Sequence, residues 1–141
     1  MIVGFNFTKI SAERNEGVKG KININNNVSI KNVEEKSLAL ANEKQKGIKF
    51  TFEFSSKYEP KLGDITIWGD VLYMADEKKS KEIMDGWKKD KKVPKDTMTS
   101  ILNTVLSKCN VQALIISRDI NLPPQIPLPK VEGQQQAGKA Q

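Results

Sequence analysis

The stretch "ITIWGDVLYMADEKKSKEIMDGW", residues 65–87, holds the point at which the chain changes its hydrophobic period. Ile65, Ile67, Val71 and Tyr73 share one parity while Trp68, Leu72 and Met74 share the other, so large apolar residues fall on both sides of a two-residue repeat up to Ala75. That is the pattern of a strand covered on both faces. Beyond Ala75 the spacing becomes helical, with Ile83, Met84 and Trp87 at i, i+1 and i+4. Asp76 and Glu77 suit the positive end of such a helix and the following lysines its negative end. A strand therefore passes directly into a short, mostly wet helix.

Working upstream, Ile48, Phe50, Phe52 and Phe54 alternate as a third strand whose exit is bracketed by Pro60 and Gly63. Ile22, Ile24, Val28 and Ile30 point one way while Lys21, Asn23, Asn25, Asn27, Ser29 and Lys31 point the other, which predicts a strand with one wet face. Leu38, Ala39 and Leu40 are expected to continue its pairing. At the start of the chain Val3, Phe5 and Phe7 keep one parity and Ile10 and Ala12 the other, which places a bulge or twist near Thr8. Downstream, "VPKD" restarts the chain at residues 93–96, and Met98, Ile101, Leu102, Val105, Leu106 and Cys109 trace a helical stripe. The run "VQALIIS", residues 111–117, is apolar nearly all round, so its helix needs more than one covering neighbour. Strands first and helices afterwards predict an α+β fold: a four-stranded antiparallel sheet followed by a short and a long C-terminal helix.

The 141 residues suit one domain, of a size that buries roughly two thirds of its unfolded surface. No apolar run reaches the roughly 18 residues that cross a bilayer, so no membrane insertion is expected. The opening "MIVGFNFTKI" has neither a basic leader nor a small-residue cleavage site, so a first strand and a cytoplasmic location are expected. The chain has no histidine and one cysteine, Cys109. This removes histidine-based catalysis, imidazole zinc sites and internal disulfides. No glycine-rich phosphate loop, EF-hand loop or closely spaced carboxylate pair on an apolar background occurs, so neither an enzyme nor a cofactor or metal is expected.

Four of the six prolines, Pro123, Pro124, Pro127 and Pro129, interleave with Leu122, Ile126 and Leu128. Proline has no N–H to donate, so such a segment can lie as an extended strap over apolar surface, or run as a solvated polyproline stretch that ends the domain. The sequence Pro124-Gln125-Ile126-Pro127-Leu128-Pro129-Lys130-Val131 is similar to the "P-Q-L-x-L-x-P-V" stretch that follows the long helix in the SecB export chaperones, with the second proline displaced by one position. The order of strands and helices, the cysteine near the last helix and the "GQQQAGKA" tail also resemble that family. The resemblance implies a SecB-like domain over residues 1–131, a disordered tail over 132–141, assembly into dimers or tetramers, and apolar grooves that hold unfolded or nascent polypeptide. The chain departs from the family in charge. SecB proteins dock an export motor through an acidic sheet surface and a zinc-binding interface, whereas this chain carries a net charge of +6.

Within that frame, the candidate client-groove residues are Trp68, Leu72, Met74, Met84, Trp87, Ile126 and Leu128. Trp68, Leu72 and Met74 are alternatively expected beneath the helices or in a protomer interface. Between Lys78 and Lys95 there are eight lysines against Glu82, Asp85 and Asp90, so five of the six net charges are local. Lys88, Lys89, Lys91, Lys92 and Lys95, with Trp87 among them, are candidates for an anionic partner, RNA or a ribosome, because phosphate contacts need cations and a base can stack on tryptophan. A solvated helix with Trp87 packed on the sheet accounts for the same residues. The expected function is chaperone-like holding of unfolded or nascent polypeptide, with a link to protein export; a basic RNA- or ribosome-associated protein and a structural subunit of a larger complex are the alternatives.

Overall fold

The computed structural model describes residues 1–17, 20–37 and 45–129. Strands β1 (Ile2–Arg14), β2 (Asn23–Lys36), β3 (Gln45–Glu59) and β4 (Gly63–Asp76) are followed by helices α1 (Glu77–Asp90) and α2 (Lys95–Asp119). The predicted α+β fold is the one observed. All neighbouring strands are antiparallel, in the order β1-β4-β3-β2, so the two most apolar strands are central and β1 and β2 form the edges. The chain crosses from one edge to the other over the β3–β4 turn, where the Asn15 backbone N–H and side-chain amide donate to the carbonyls of Leu62 and Lys61 at 2.7 and 2.9 Å.

Register explains the inward faces. Ile48, Phe50, Phe52 and Phe54 on β3 and Ile65, Ile67 and Val71 on β4 are fully buried beneath Ile83, Ile101, Val105 and Cys109 of the helices. The β1 register shifts between Phe7 and Lys9, placing the expected irregularity at Thr8 and returning Ile10 and Ala12 to the same side as Phe7. A second shift between Ile30 and Asn32 lets Val33 resume the inward side of β2. Gly69 gives room to the core, because a Cβ there would stand 2.5 Å from Cζ of Phe52.

The helix ends follow their local chemistry. Asp76 caps α1 by accepting from the Lys79 N–H at 2.7 Å, and Lys91 closes it in the left-handed region at φ 57°. Asn121, at φ 58°, closes α2 with paired bonds, Leu122 N–H to Ser117 carbonyl at 2.8 Å and Asn121 N–H to Arg118 carbonyl at 3.4 Å. This Schellman arrangement turns Leu122 back into the core, where it is buried.

Among the described residues no helix is long and apolar enough to cross a membrane. The expected pairing of Leu38, Ala39 and Leu40 and the expected disordered tail over 132–141 lie outside the described residues.

Candidate functional site

The edge strand β2 runs beside the place where α1 ends and α2 begins. There Val28 and Ile30, Trp87, and Met98 and Leu102 line an open groove of about 450 Å³. β2 pairs with β3 on one side only, so along this groove its other row of backbone N–H and C=O groups has no strand partner among the described residues. Trp87 forms the groove wall with its ring largely buried, and the Lys91 ammonium stands 5.1 Å from the ring centroid. Trp87, the candidate for stacking on a base, is therefore packed into the core and covered by a cation. Its spacing from Ile83 indicated this.

A second open groove, about 430 Å³, lies at the far end of α2 between Leu114, Ile115 and Leu122, Pro124 and Leu128. The proline segment borders it as a strap. Tyr58 donates its hydroxyl to the Pro123 carbonyl at 2.6 Å, Asn26 donates its amide to the Gln125 carbonyl at 2.8 Å, and the Gln125 amide donates to the Asn110 carbonyl at 2.8 Å. Leu122 is buried and Ile126 half-buried, but Leu128 is 50% exposed. The strap reading is thus corrected at Leu128: the pinned carbonyls precede it, and its side chain stands at the groove rim.

The sequence candidates fall in separate places. Trp68, Leu72 and Met74 are half-buried on the outer sheet face, opposite the helices, which corrects the expectation that they pack beneath them. Two strand positions decide this: Trp68 lies opposite Glu53 and Leu72 opposite Lys49, both outward residues of β3. Met84 lines a more polar depression with Glu35, Lys46, Lys81, Asp85 and Lys88 on another flank of α1. Of the seven groove candidates, only Trp87 lies at the β2 edge and only Leu128 at the α2 groove.

The lysines remain on the surface. Lys88 and Lys89 occupy the last turn of α1, Lys91 and Lys92 follow it, and Lys95 opens α2, all exposed. Lys79 instead bridges the two helix starts by an ion pair to Asp96 at 3.2 Å, which raises the lysine above its usual range and lowers the carboxyl below its own. On the outer sheet face Lys49 pairs with Glu34 at 2.8 Å, and Thr51 donates to Asp70 at 3.1 Å. Burial pushes the Cys109 thiol up to about 12, so at neutral pH it is a core thiol and not a thiolate.

β1 presents a further apolar edge. Val3, Phe7 and Ile10 on the strand and Val111 and Ile115 on α2 are exposed, and a shallow cleft lined by Phe5, Phe7 and Val111 joins strand to helix.

The sequence matches no protein-family model and no curated protein. The fold is similar to that of the Mycobacterium tuberculosis SecB-like chaperone Rv1957, solved in complex with a ChAD peptide from the Rv1956 HigA1 antitoxin. The likeness has a TM-score of 0.54 at 8% identity and covers 96% of this chain and 92% of that one. The chain has a SecB-like fold.

Proposed function

We propose that this protein is a chaperone-like holdase that binds extended apolar segments of unfolded or nascent polypeptide at the β2 edge. The carrying observation is the junction of an edge strand with an apolar groove: the backbone of β2 can pair with an added strand while alternate side chains of that strand enter between Val28, Ile30, Trp87, Met98 and Leu102. Main-chain bonds give affinity without demanding one sequence. Met98 of α2, an adaptable thioether beside Leu102, accommodates different side chains. The similar chaperone from M. tuberculosis was solved with a peptide bound, which supports the reading at the level of the fold.

The α2 groove with Leu128, and the outward Trp68, Leu72 and Met74, are secondary contact surfaces along which a longer client extends. We assign the β1 edge and the exposed Val111 and Ile115 to self-association into a dimer or tetramer, because an open edge flanked by exposed aliphatics is otherwise an aggregation hazard. Motor docking through an acidic sheet does not suit this chain: Glu34 and Asp70 on the outer face are already engaged, and the net charge is +6.

The test is suppression of aggregation of a chemically denatured client on dilution, comparing the native chain with Met98→Asp/Leu102→Asp. Both residues are half-buried at the groove, and the variant must first be shown to keep its far-UV spectrum. Loss of suppression by a folded variant supports the groove; undiminished suppression removes it. Salt-sensitive co-sedimentation of the native chain with ribosomes, lost on RNase treatment, would instead favour the RNA reading.

A further inference from the structure

The β2 groove carries charge of one sign at its mouth. Its charged lining residues are Lys31 and Lys91, and no carboxylate lines it. Lys91 is held over the Trp87 ring, which leaves its ammonium at the surface without an ion-pair partner among the described residues. Lys31 sits at the β2 register shift with its side chain 45% exposed, and it forms a loose ion pair at 3.8 Å with Glu53, an outward residue of β3, so among the described residues the uncompensated cation of the groove is Lys91. Behind Lys91 follow exposed Lys92 and Lys95, and ahead of it Lys89. Asp85 and Lys88 both line the separate depression on the other flank of α1 and belong to that surface, not to this mouth.

We propose, building on the holdase reading, that the β2 groove selects extended apolar segments flanked by acidic residues. An apolar strand alone can use β2 and the Trp87, Met98 and Leu102 walls. A carboxylate placed beside that strand meets Lys91, with exposed Lys92 and Lys95 behind it, instead of leaving that ammonium facing apolar client surface. Segments flanked by lysine or arginine meet the same groups with repulsion. The selected client class is thus polypeptide in which acidic residues border a short apolar alternation, and its capture weakens with salt.

The experiment uses three fluorescent peptides with one alternating Leu/Val core and Glu, Gln or Lys at both ends, titrated with the full chain by anisotropy. The Glu-ended peptide is expected to bind about five- to tenfold more tightly than the Gln-ended one at low salt, the Lys-ended peptide more weakly than either, and the spread to shrink at high salt. Lys91→Glu/Lys92→Glu should invert the order, and Lys91→Gln/Lys92→Gln should flatten it if the reversal variant does not fold. Lys9→Glu/Lys57→Glu makes the same change in net charge at exposed positions of other strands and should preserve the order. Equal binding of all three peptides overturns acidic selection and leaves the holding groove standing; binding of none overturns both. An order that shifts equally in the Lys9/Lys57 variant assigns the effect to overall charge and overturns the inference. Displacement of the Glu-ended peptide by an oligouridylate at equal concentration makes the lysines a phosphate site and does the same.

Discussion

Replacing Leu122 with alanine tests whether the proline segment is part of the folded body. Leu122 is 5% exposed, and the Tyr58 bond to Pro123 and the Asn26 bond to Gln125 hold the chain immediately beyond it. The strap cannot easily slide inward to fill the space left by the lost methyl groups. The transfer and cavity contributions then act together, and the cost falls at about 3 kcal/mol, within the range for buried Leu→Ala changes. A domain of this kind has only about 5–15 kcal/mol in total, so the effect is large. Urea unfolding followed by tryptophan fluorescence and far-UV circular dichroism should show the midpoint falling by roughly 1 M or more at unchanged slope. Leu128→Ala is the internal control: that side chain is 50% exposed, and its truncation should cost less than about 1 kcal/mol. If Leu122→Ala is indistinguishable from the native chain, or Leu128→Ala costs as much, the strap is wrongly assigned.

Tyr58→Phe removes the hydroxyl that donates to Pro123 and should cost about 1–2 kcal/mol at neutral pH, measured by the same urea titration. Burial raises the Tyr58 hydroxyl above its ordinary 10.0, so the native state retains a proton that the unfolded chain releases; native stability should fall as pH rises above that value, more steeply than in Tyr58→Phe. Cys109 should resist a neutral thiol reagent in the native protein and react promptly in denaturant, whereas rapid native labelling would contradict its burial. Sedimentation should give a dimer or tetramer at tens of micromolar, and Phe7→Glu/Val111→Glu should shift it toward monomer; a native monomer at that concentration would remove the self-association reading.

The strands were legible where their apolar period is local. Residues 48–54 and 65–75 announce central strands, and the parity change at Thr8 announces the β1 irregularity. Helix α1 was legible from Asp76, which caps it, and from the Ile83 and Trp87 spacing. The adjacency of β1 to β4 was not, because pairing between distant strands leaves no periodic mark. For the same reason the groove was only partly visible: Val28 and Ile30 look like ordinary inward strand residues until α1 and α2 bring Trp87, Met98 and Leu102 beside them. The strap pins were missed although they carried a signal. Asn26 interrupts the inward series of Ile24, Val28 and Ile30, and it reaches both Gln125 and Ser56. Tyr58 continues the inward parity of β3 with a hydroxyl that burial obliges to find an acceptor, here Pro123. Asn121 ahead of Leu122 and Pro123 was a readable helix stop. Lysine charge was visible by counting, but only folding separates Lys79, paired with Asp96, from Lys91 at the groove.

Hydrogen exchange read by mass spectrometry, with and without a bound apolar peptide, tests the β2 groove most directly. Strand addition occupies edge amides that otherwise exchange with water, so peptide binding should slow exchange in β2, with smaller protection at residues 95–102 and none in β1. A bound peptide that leaves β2 unprotected, or that protects β1 instead, would contradict the account.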